Sequence, residues 1–216
     1  MNGDRHDDAP RRLVGIDPQA AADELRAILA ASGEGEGIVP QLEALSRWAE
    51  KAGRRVGPGF DLSQARLGGL EHYVWKDGSE SVVRKFTYGG AFGRTVRSIA
   101  QGLVPAKPLE YLVRWANHNA LFPPITRISG VLEANRDGLA FLIEQEALLG
   151  DLPSLSEVHE FLRSAGYAPL ATHAFAWENR RTGFALFDAR PANFVRVSDV
   201  PIPFDLIVVP LENLDE

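Results

Sequence analysis

Three oxygen-bearing side chains late in the chain stand at spacings that suit phosphate chemistry. Asp188 and Asn193 lie five positions apart in Asp188-Ala-Arg-Pro-Ala-Asn193, and Asp205 follows the first aspartate by seventeen. Each aspartate adjoins an apolar run, Phe184-Ala-Leu-Phe187 before one and Leu206-Ile-Val-Val209 after the other. An unpaired charge in such surroundings is costly. Magnesium and phosphate between the two carboxylates would offset that cost, because a hard divalent cation takes oxygen ligands. Asp, Pro and Asn are also turn formers, so Asp188 to Asn193 alone reads equally as a β-turn. The second carboxylate at the entry to an apolar strand favours a site.

Other chemistries are poorly served. Cysteine is absent, which removes disulfides, thiolate metal sites and cysteine nucleophiles together. The five histidines, His6, His72, His118, His159 and His173, show no metal-ligand spacing. No Gly-x-Ser-x-Gly elbow occurs. Gly33, Gly35 and Gly37 imitate part of a dinucleotide fingerprint, but they follow a helix and read as a joint.

The elements that must position the acidic residues are written plainly. Asp17-Pro18 caps a first helix rich in alanine and leucine, and a second helix follows Pro40 and stops at Gly53. From Phe60 the period changes to two. Strands are expected at Tyr73 to Trp75 and Ser81 to Thr87, joined by the hairpin turn Lys76-Asp-Gly-Ser79. A third helix spans Pro108 to Leu121 with Leu109, Leu112, Val113, Ala116 and Ala120 on one face. Strands follow at Ile125 to Leu132 and Leu139 to Glu146. The capping box Ser154-x-x-Glu157 opens a fourth helix, closed by Gly166. Short strands are expected at Thr172 to Trp177, Phe184 to Phe187, Phe194 to Val197 and Phe204 to Val208. The class is α+β.

With 216 residues the chain has room for one domain and an appendage. A formal net charge of −6 argues against nucleic acid or an anionic membrane as partner. The polar start Met1-Asn-Gly-Asp lacks a signal peptide's apolar stretch, and no segment offers the ~18 apolar residues of a membrane span. A cytoplasmic location is the expectation.

Asp188-Ala-Arg-Pro-Ala-Asn193 resembles the catalytic loop of protein kinases, and Asp205 resembles the metal-binding aspartate that follows it. Val82-Val-Arg-Lys-Phe86 is similar to the third strand of a kinase N-lobe, whose lysine, here Lys85, holds nucleotide phosphates. Glu110 resembles the helix glutamate that pairs with that lysine. Leu142-Ile-Glu-Gln-Glu146 is similar to the hinge, where the backbone at Glu144, Gln145 and Glu146 would grip adenine. A narrower likeness joins these residues to Leu70-Glu-His-Tyr-Val74, Gly89 to Gly93, Pro108-Leu-Glu-Tyr-Leu112 and Pro153-Ser-Leu-Ser-Glu157. Together they resemble the kinase-like domain of polyvalent proteins, large proteins of phages and mobile elements, over about Trp48 to Val209.

The resemblance implies a minimal two-lobe kinase-like fold. A loose N-terminus (1–15) and a helical extension (16–58) would precede a kinase-like domain (59–216). That domain would hold an N-lobe at about 59–143 and a short C-lobe at about 147–216. The implied cofactors are ATP and Mg2+. Lys85 would neutralise phosphates, Glu110 would hold Lys85, and Asn193 and Asp205 would carry the metal. Asp188 would take the acceptor's proton, with Arg190 near the γ-phosphate and Gly68-Gly69 covering the phosphates. Phe187 stands where protein kinases have arginine, and Leu206-Ile207 replaces Phe-Gly after the metal aspartate. With eleven residues following Asp205, the expected C-lobe is truncated and lacks the usual peptide platform. The acceptor is a protein or small-molecule hydroxyl. The alternatives are a small-molecule kinase and a catalytically dead nucleotide-binding or interaction module.

Overall fold

The computed structural model describes residues 15–33, 35, 37–56, 65–76, 81–133 and 138–214. The expected loose N-terminus up to residue 14, the boundary at 57–59 and the hairpin turn at 77–79 lie outside these residues. The described part is mixed α+β, with four α-helices and several sheets. None of these helices is long and apolar enough to cross a membrane.

Helix α1 (Pro18–Ser32) begins as the sequence predicts. The Asp17 side chain accepts from the Gln19 N–H at 2.9 Å, and Gly33 ends the helix in the left-handed region at φ 65°. Helix α2 (Ile38–Lys51) starts before Pro40 rather than after it. Proline is tolerated there because first-turn N–H groups have no intrahelical partner.

Four strands then lead into the site: β1 (Arg55–Val56), β2 (Arg66–Leu67), β3 (His72–Lys76) and β4 (Val82–Thr87). A hairpin of β5 (Arg94–Val96) and β6 (Leu103–Pro105) precedes helix α3 (Pro108–Leu121). Strands β7 (Thr126–Glu133) and β8 (Leu139–Glu146) complete a six-stranded sheet of order β1-β7-β8-β4-β3-β2. Its pairs are antiparallel apart from β1 with β7. The lysine strand β4 is therefore central, with Lys85 registered between Val74 and Ile143.

Helix α3 buries Tyr111, Leu112 and Trp115 in one core with Leu25 of α1, Leu45 and Trp48 of α2, and Phe141 and Ile143 of β8. The helical extension is thus part of this layer and not an appendage. Polar contacts fix the docking: Trp48 donates to Glu24 at 2.7 Å, and Arg127 of β7 pairs with Asp17 at 2.6 Å. The Leu109 N–H, a first-turn orphan of α3, donates to Gln41 of α2.

The second half holds α4 (Leu155–Ser164), β9 (Ala168–Pro169), β10 (Trp177–Asn179) and β11 (Phe184–Phe187). It ends with β12 (Phe194–Val197), β13 (Val200–Pro203) and β14 (Ile207–Pro210). One sheet runs β14-β11-β10-β9, and β12 and β13 form a two-stranded sheet in which Arg196 of β12 is also bridged to Asp151. The capping box at Ser154 and Glu157 is formed in both directions. Two expected strands shift: Thr172 to Trp177 contributes only its last residue to β10, and Phe204 to Val208 becomes β14. The unexpected strand β13 carries Pro201 and Pro203. They are accommodated because β13 is an edge strand.

Two buried histidines set a pH dependence. His72 on β3 and His118 on α3 are 1% and 0% exposed, and burial pushes each ring down to about 3. Neither ring nitrogen of His118 has a hydrogen-bond partner. Both rings are neutral when folded and protonate near 6.5 when unfolded, so the unfolded state binds more protons between about 3 and 6.5. Stability is full above pH 6.5 and falls as pH drops through that window. Unfolding free energies from urea titrations at pH 7 and pH 5 should differ by about 2 kcal/mol per histidine. His118→Gln should lower the number of protons taken up on unfolding by one.

Candidate functional site

Two hairpins ending at the same place assemble the acidic residues. Phe187 at the end of β11 pairs with Ile207 at the start of β14, so the chain leaves at Asp188 beside the point where it arrives from Asp205. Phe194 pairs with Pro203, and the Phe204 N–H donates to the Asn193 carbonyl at 3.1 Å, bringing Asn193 to the same end. The sequence spacings of five and seventeen are the lengths of these two connections.

The loop from Asp188 is held by its own hydrogen bonds. Asp188 has φ 58°, a left-handed conformation that Asp tolerates better than most residues. The Asn193 amide N–H2 donates to the Asp188 carbonyl at 2.7 Å and to its carboxylate at 2.8 Å. This leaves Asn193 Oδ1 as an acceptor. Arg190 places Nε 3.1 Å from the other Asp188 carboxylate oxygen, and its side chain is half exposed.

Asp205 is the hub. Its Oδ2 accepts from Lys85 Nζ at 3.2 Å, across 120 positions of sequence, and its Oδ1 accepts from Arg114 Nη2 at 3.1 Å. Arg114, on α3, is 3% exposed at its side chain and donates also to Glu71 at 2.6 Å and to the backbone carbonyls of Leu206 and Arg94. Burial alone would raise the Asp205 pKa, but the charges of Lys85 and Arg114 outweigh it and hold the carboxyl well below the usual carboxylate range. Burial opposes the charge of Arg114, while Glu71 and Asp205 stabilise it and raise its pKa.

Glu71, His72 and Asp205 offer ligand atoms within 4.8 Å of one another. The guanidinium of Arg114 bridges two of the three, so the cation of that corner is built into the chain. Asn193 and Asp205 also line one cavity, where their oxygens could serve a metal ion. Asn193 Oδ1 is an amide oxygen, and each Asp205 oxygen makes a single bond and keeps a lone pair, a hard-oxygen donor set that suits Mg2+.

These groups border a cavity of about 620 Å3 walled by Val74, Lys85, Gln145, Leu148, Asn193 and Phe204. Gly68 also lines it. A Cβ on Gly68 would lie 2.1 Å from Val74 Cγ2, so only glycine lets the turn approach β3 this closely. Gly69 has φ 100°, and its carbonyl accepts from Tyr88.

One expectation is corrected and a second is extended. Glu110 does not hold Lys85: it pairs through both oxygens with Arg97 at 2.8 Å and accepts from the Lys107 N–H at the start of α3. As the third residue of that helix, it completes the capping arrangement. The backbone at Glu144 to Glu146 is held in the sheet, with β8 paired to β4 on one side and β7 on the other, while Gln145 and Glu146 line the cavity. The Glu146 N–H donates to Ile125, Glu144 pairs with Arg84, and the Gln145 side chain ties Thr126 to the Phe204 carbonyl. The turn after β8, at Ala147, Leu148 and Leu149, continues this lining, so the cavity wall extends beyond the expected hinge residues.

Sequence reasoning missed Arg114. The available signal was a stripe of Tyr111, Arg114, Trp115 and His118 at helical spacing, a charge set among rings. No family model, curated protein or solved structure matches this chain.

Removing Arg114 leaves Glu71 and Asp205 facing each other without their bridge. Arg114→Met should cost about 3–5 kcal/mol in urea unfolding, the usual loss when one partner of a buried pair is deleted. Glu110→Gln, by contrast, should cost about 1 kcal/mol through the helix cap and leave Asp205 and its neighbours unchanged.

Proposed function

We propose that this chain is a Mg·ATP-dependent phosphotransferase with a kinase-like two-lobe architecture, acting on a hydroxyl acceptor. The observation that carries the reading is the convergence of Lys85, Asn193 and Asp205 on one cavity, with Asp188 tied to Asn193 beside it. The order of parts supports it. The lysine lies on the third strand of the β2-β3-β4 run, a helix separates that strand from β7 and β8, and the aspartate loop and second aspartate follow. The likeness to the kinase-like domain of polyvalent proteins adds a phage or mobile-element context to the same proposal.

In this reading the 620 Å3 cavity takes the nucleotide, with Lys85 Nζ against its phosphates and the Gly68 turn above them. Asn193 and Asp205 would hold magnesium, which neutralises phosphate charge and orients the transferred group. Arg190 offsets charge near the γ-phosphate. Asp188 orients the acceptor hydroxyl and receives its proton. The acceptor oxygen then bonds to the γ-phosphorus while the β–γ bridging P–O bond breaks, and the electron pair leaves on the ADP oxygen. Positioning and charge stabilisation supply most of the rate in such transfers, so few groups suffice.

Thermal unfolding with and without Mg·ATP tests the reading. At about 100 times Kd the nucleotide should add roughly 2.7 kcal/mol of apparent stability, and Asp205→Asn should abolish the magnesium-dependent part. Asp188→Ala should keep the shift and lose about 10²–10⁴-fold in transfer. No shift at millimolar Mg·ATP overturns the reading. A shift with no transfer to any acceptor would leave a binding module.

A further inference from the structure

A second cavity, of about 250 Å3, adjoins the first and meets it at Gly68, Arg190, Asn193 and Asp205. The two spaces divide the chemistry between them. Lys85 and the turn after β8 line only the larger, whereas Asp188 lines only the smaller. The remaining walls of the smaller cavity come from several elements. The β5–β6 hairpin, inserted between the lysine strand and α3, supplies Arg94 and Leu103, and Leu70 and Ile207 add apolar surface.

The charges in this space are unequally committed. Glu71 and Asp205 are bridged by Arg114, and Asp188 is paired with Arg190. Among the described residues, the Arg94 guanidinium has a single 3.5 Å contact, from Nη1 to the Leu103 carbonyl, and the residue is exposed while lining the cavity. A guanidinium in this position suits a carboxylate or phosphate on an incoming molecule. The volume is below the roughly 300–1,000 Å3 of sites for drug-sized ligands. The apolar rim fits a short carbon skeleton.

We propose that this cavity is the acceptor site and that the acceptor is a compact alcohol bearing one carboxylate or phosphate, with Arg94 on its anion and its hydroxyl at Asp188. The proposal rests on the phosphotransferase reading. It adds that the acceptor is a small anionic molecule, and that the β5–β6 hairpin selects it. The transfer balances as before: the hydroxyl proton passes to the Asp188 carboxylate, the hydroxyl oxygen takes the γ-phosphoryl group of ATP, and ADP leaves.

The test uses the full chain and labelled ATP with a panel of glycerate, glycerol 3-phosphate, glycerol and a mixed serine/threonine/tyrosine peptide pool. Mg·AMP-PNP binding is measured separately on the same preparations. The expected result is labelling of an anionic alcohol at least tenfold above glycerol and above the peptides. Arg94→Met should raise the KM for that alcohol at least tenfold while the KM for ATP holds. Leu103→Trp, which fills the cavity, should block transfer while AMP-PNP still binds. AMP-PNP binding with labelling of peptide, with equal labelling of glycerol, with no labelling of the panel, or with no effect of either variant overturns the acceptor assignment alone. Absence of AMP-PNP binding to the wild type overturns the phosphotransferase reading beneath it.

Discussion

A largely covered carboxylate must be compensated, and Asp205 is compensated twice. Lys85 reaches it from the centre of the six-stranded sheet and Arg114 reaches it from α3. Coulomb attraction at contact distance is strong in a low-dielectric interior, but each ion also loses hydration. The arrangement holds because the remaining valences are filled. Arg114 uses further N–H groups on Glu71 and two backbone carbonyls, and the N-terminal helices keep α3 in place. Asp205 thus joins three parts of the fold: the sheet, the helix and the paired hairpins that follow β11.

The helix enters this network through a cation. A glutamate at that helix would have to meet Lys85, and Glu110 is occupied at the helix start by Arg97 and the Lys107 N–H. The sign of the helix contribution is therefore reversed: the helix offers positive charge to the aspartate, and Glu71 balances it from the turn before β3. The outcome is a chain of alternating charges, Glu71, Arg114, Asp205 and Lys85, in which no ion is left without an opposite neighbour. That sequence of charges explains why His72, packed beside it, remains neutral. Burial dominates its pKa, and the pull of Asp205 is offset by the two cations.

Much of the fold was written locally. Helix α3 and strands β8, β11 and β12 stand where their periodicity places them, and Asp17, Ser154 and Gly166 mark helix ends by capping and turn chemistry. The Asp188 loop was legible because its residues are close in sequence. Lys85 with Asp205 was legible only through the resemblance, since 120 positions separate them. Arg114 was not, because an arginine at helical spacing from aromatic residues gives no local sign of a carboxylate ninety-one positions away. The β5–β6 hairpin was hidden for another reason. Its strands are three residues each and nearly half exposed, so they carry little alternation. Edge pairing, not side-chain pattern, defines it.

The two cations on Asp205 differ in what they are free to do. Arg114 is fixed by four donor contacts, buried, and outside the larger cavity. Lys85 makes one hydrogen bond to Asp205, borders the cavity, and has a flexible stem that lets its ammonium turn. An anion entering that cavity can therefore draw Lys85 away from Asp205 without leaving the aspartate uncompensated, since Arg114 stays. The oxygen that Lys85 releases then joins Asn193 Oδ1 as a free acceptor on the same wall. In the proposed reaction this is an exchange of partners in which phosphate takes the lysine and the carboxylate takes a metal. A single cation on Asp205 would not permit it, because the aspartate would pass through an uncompensated state. Arg114 supplies the second cation, and so makes an internal ion pair compatible with the partner exchange that the proposed reaction requires.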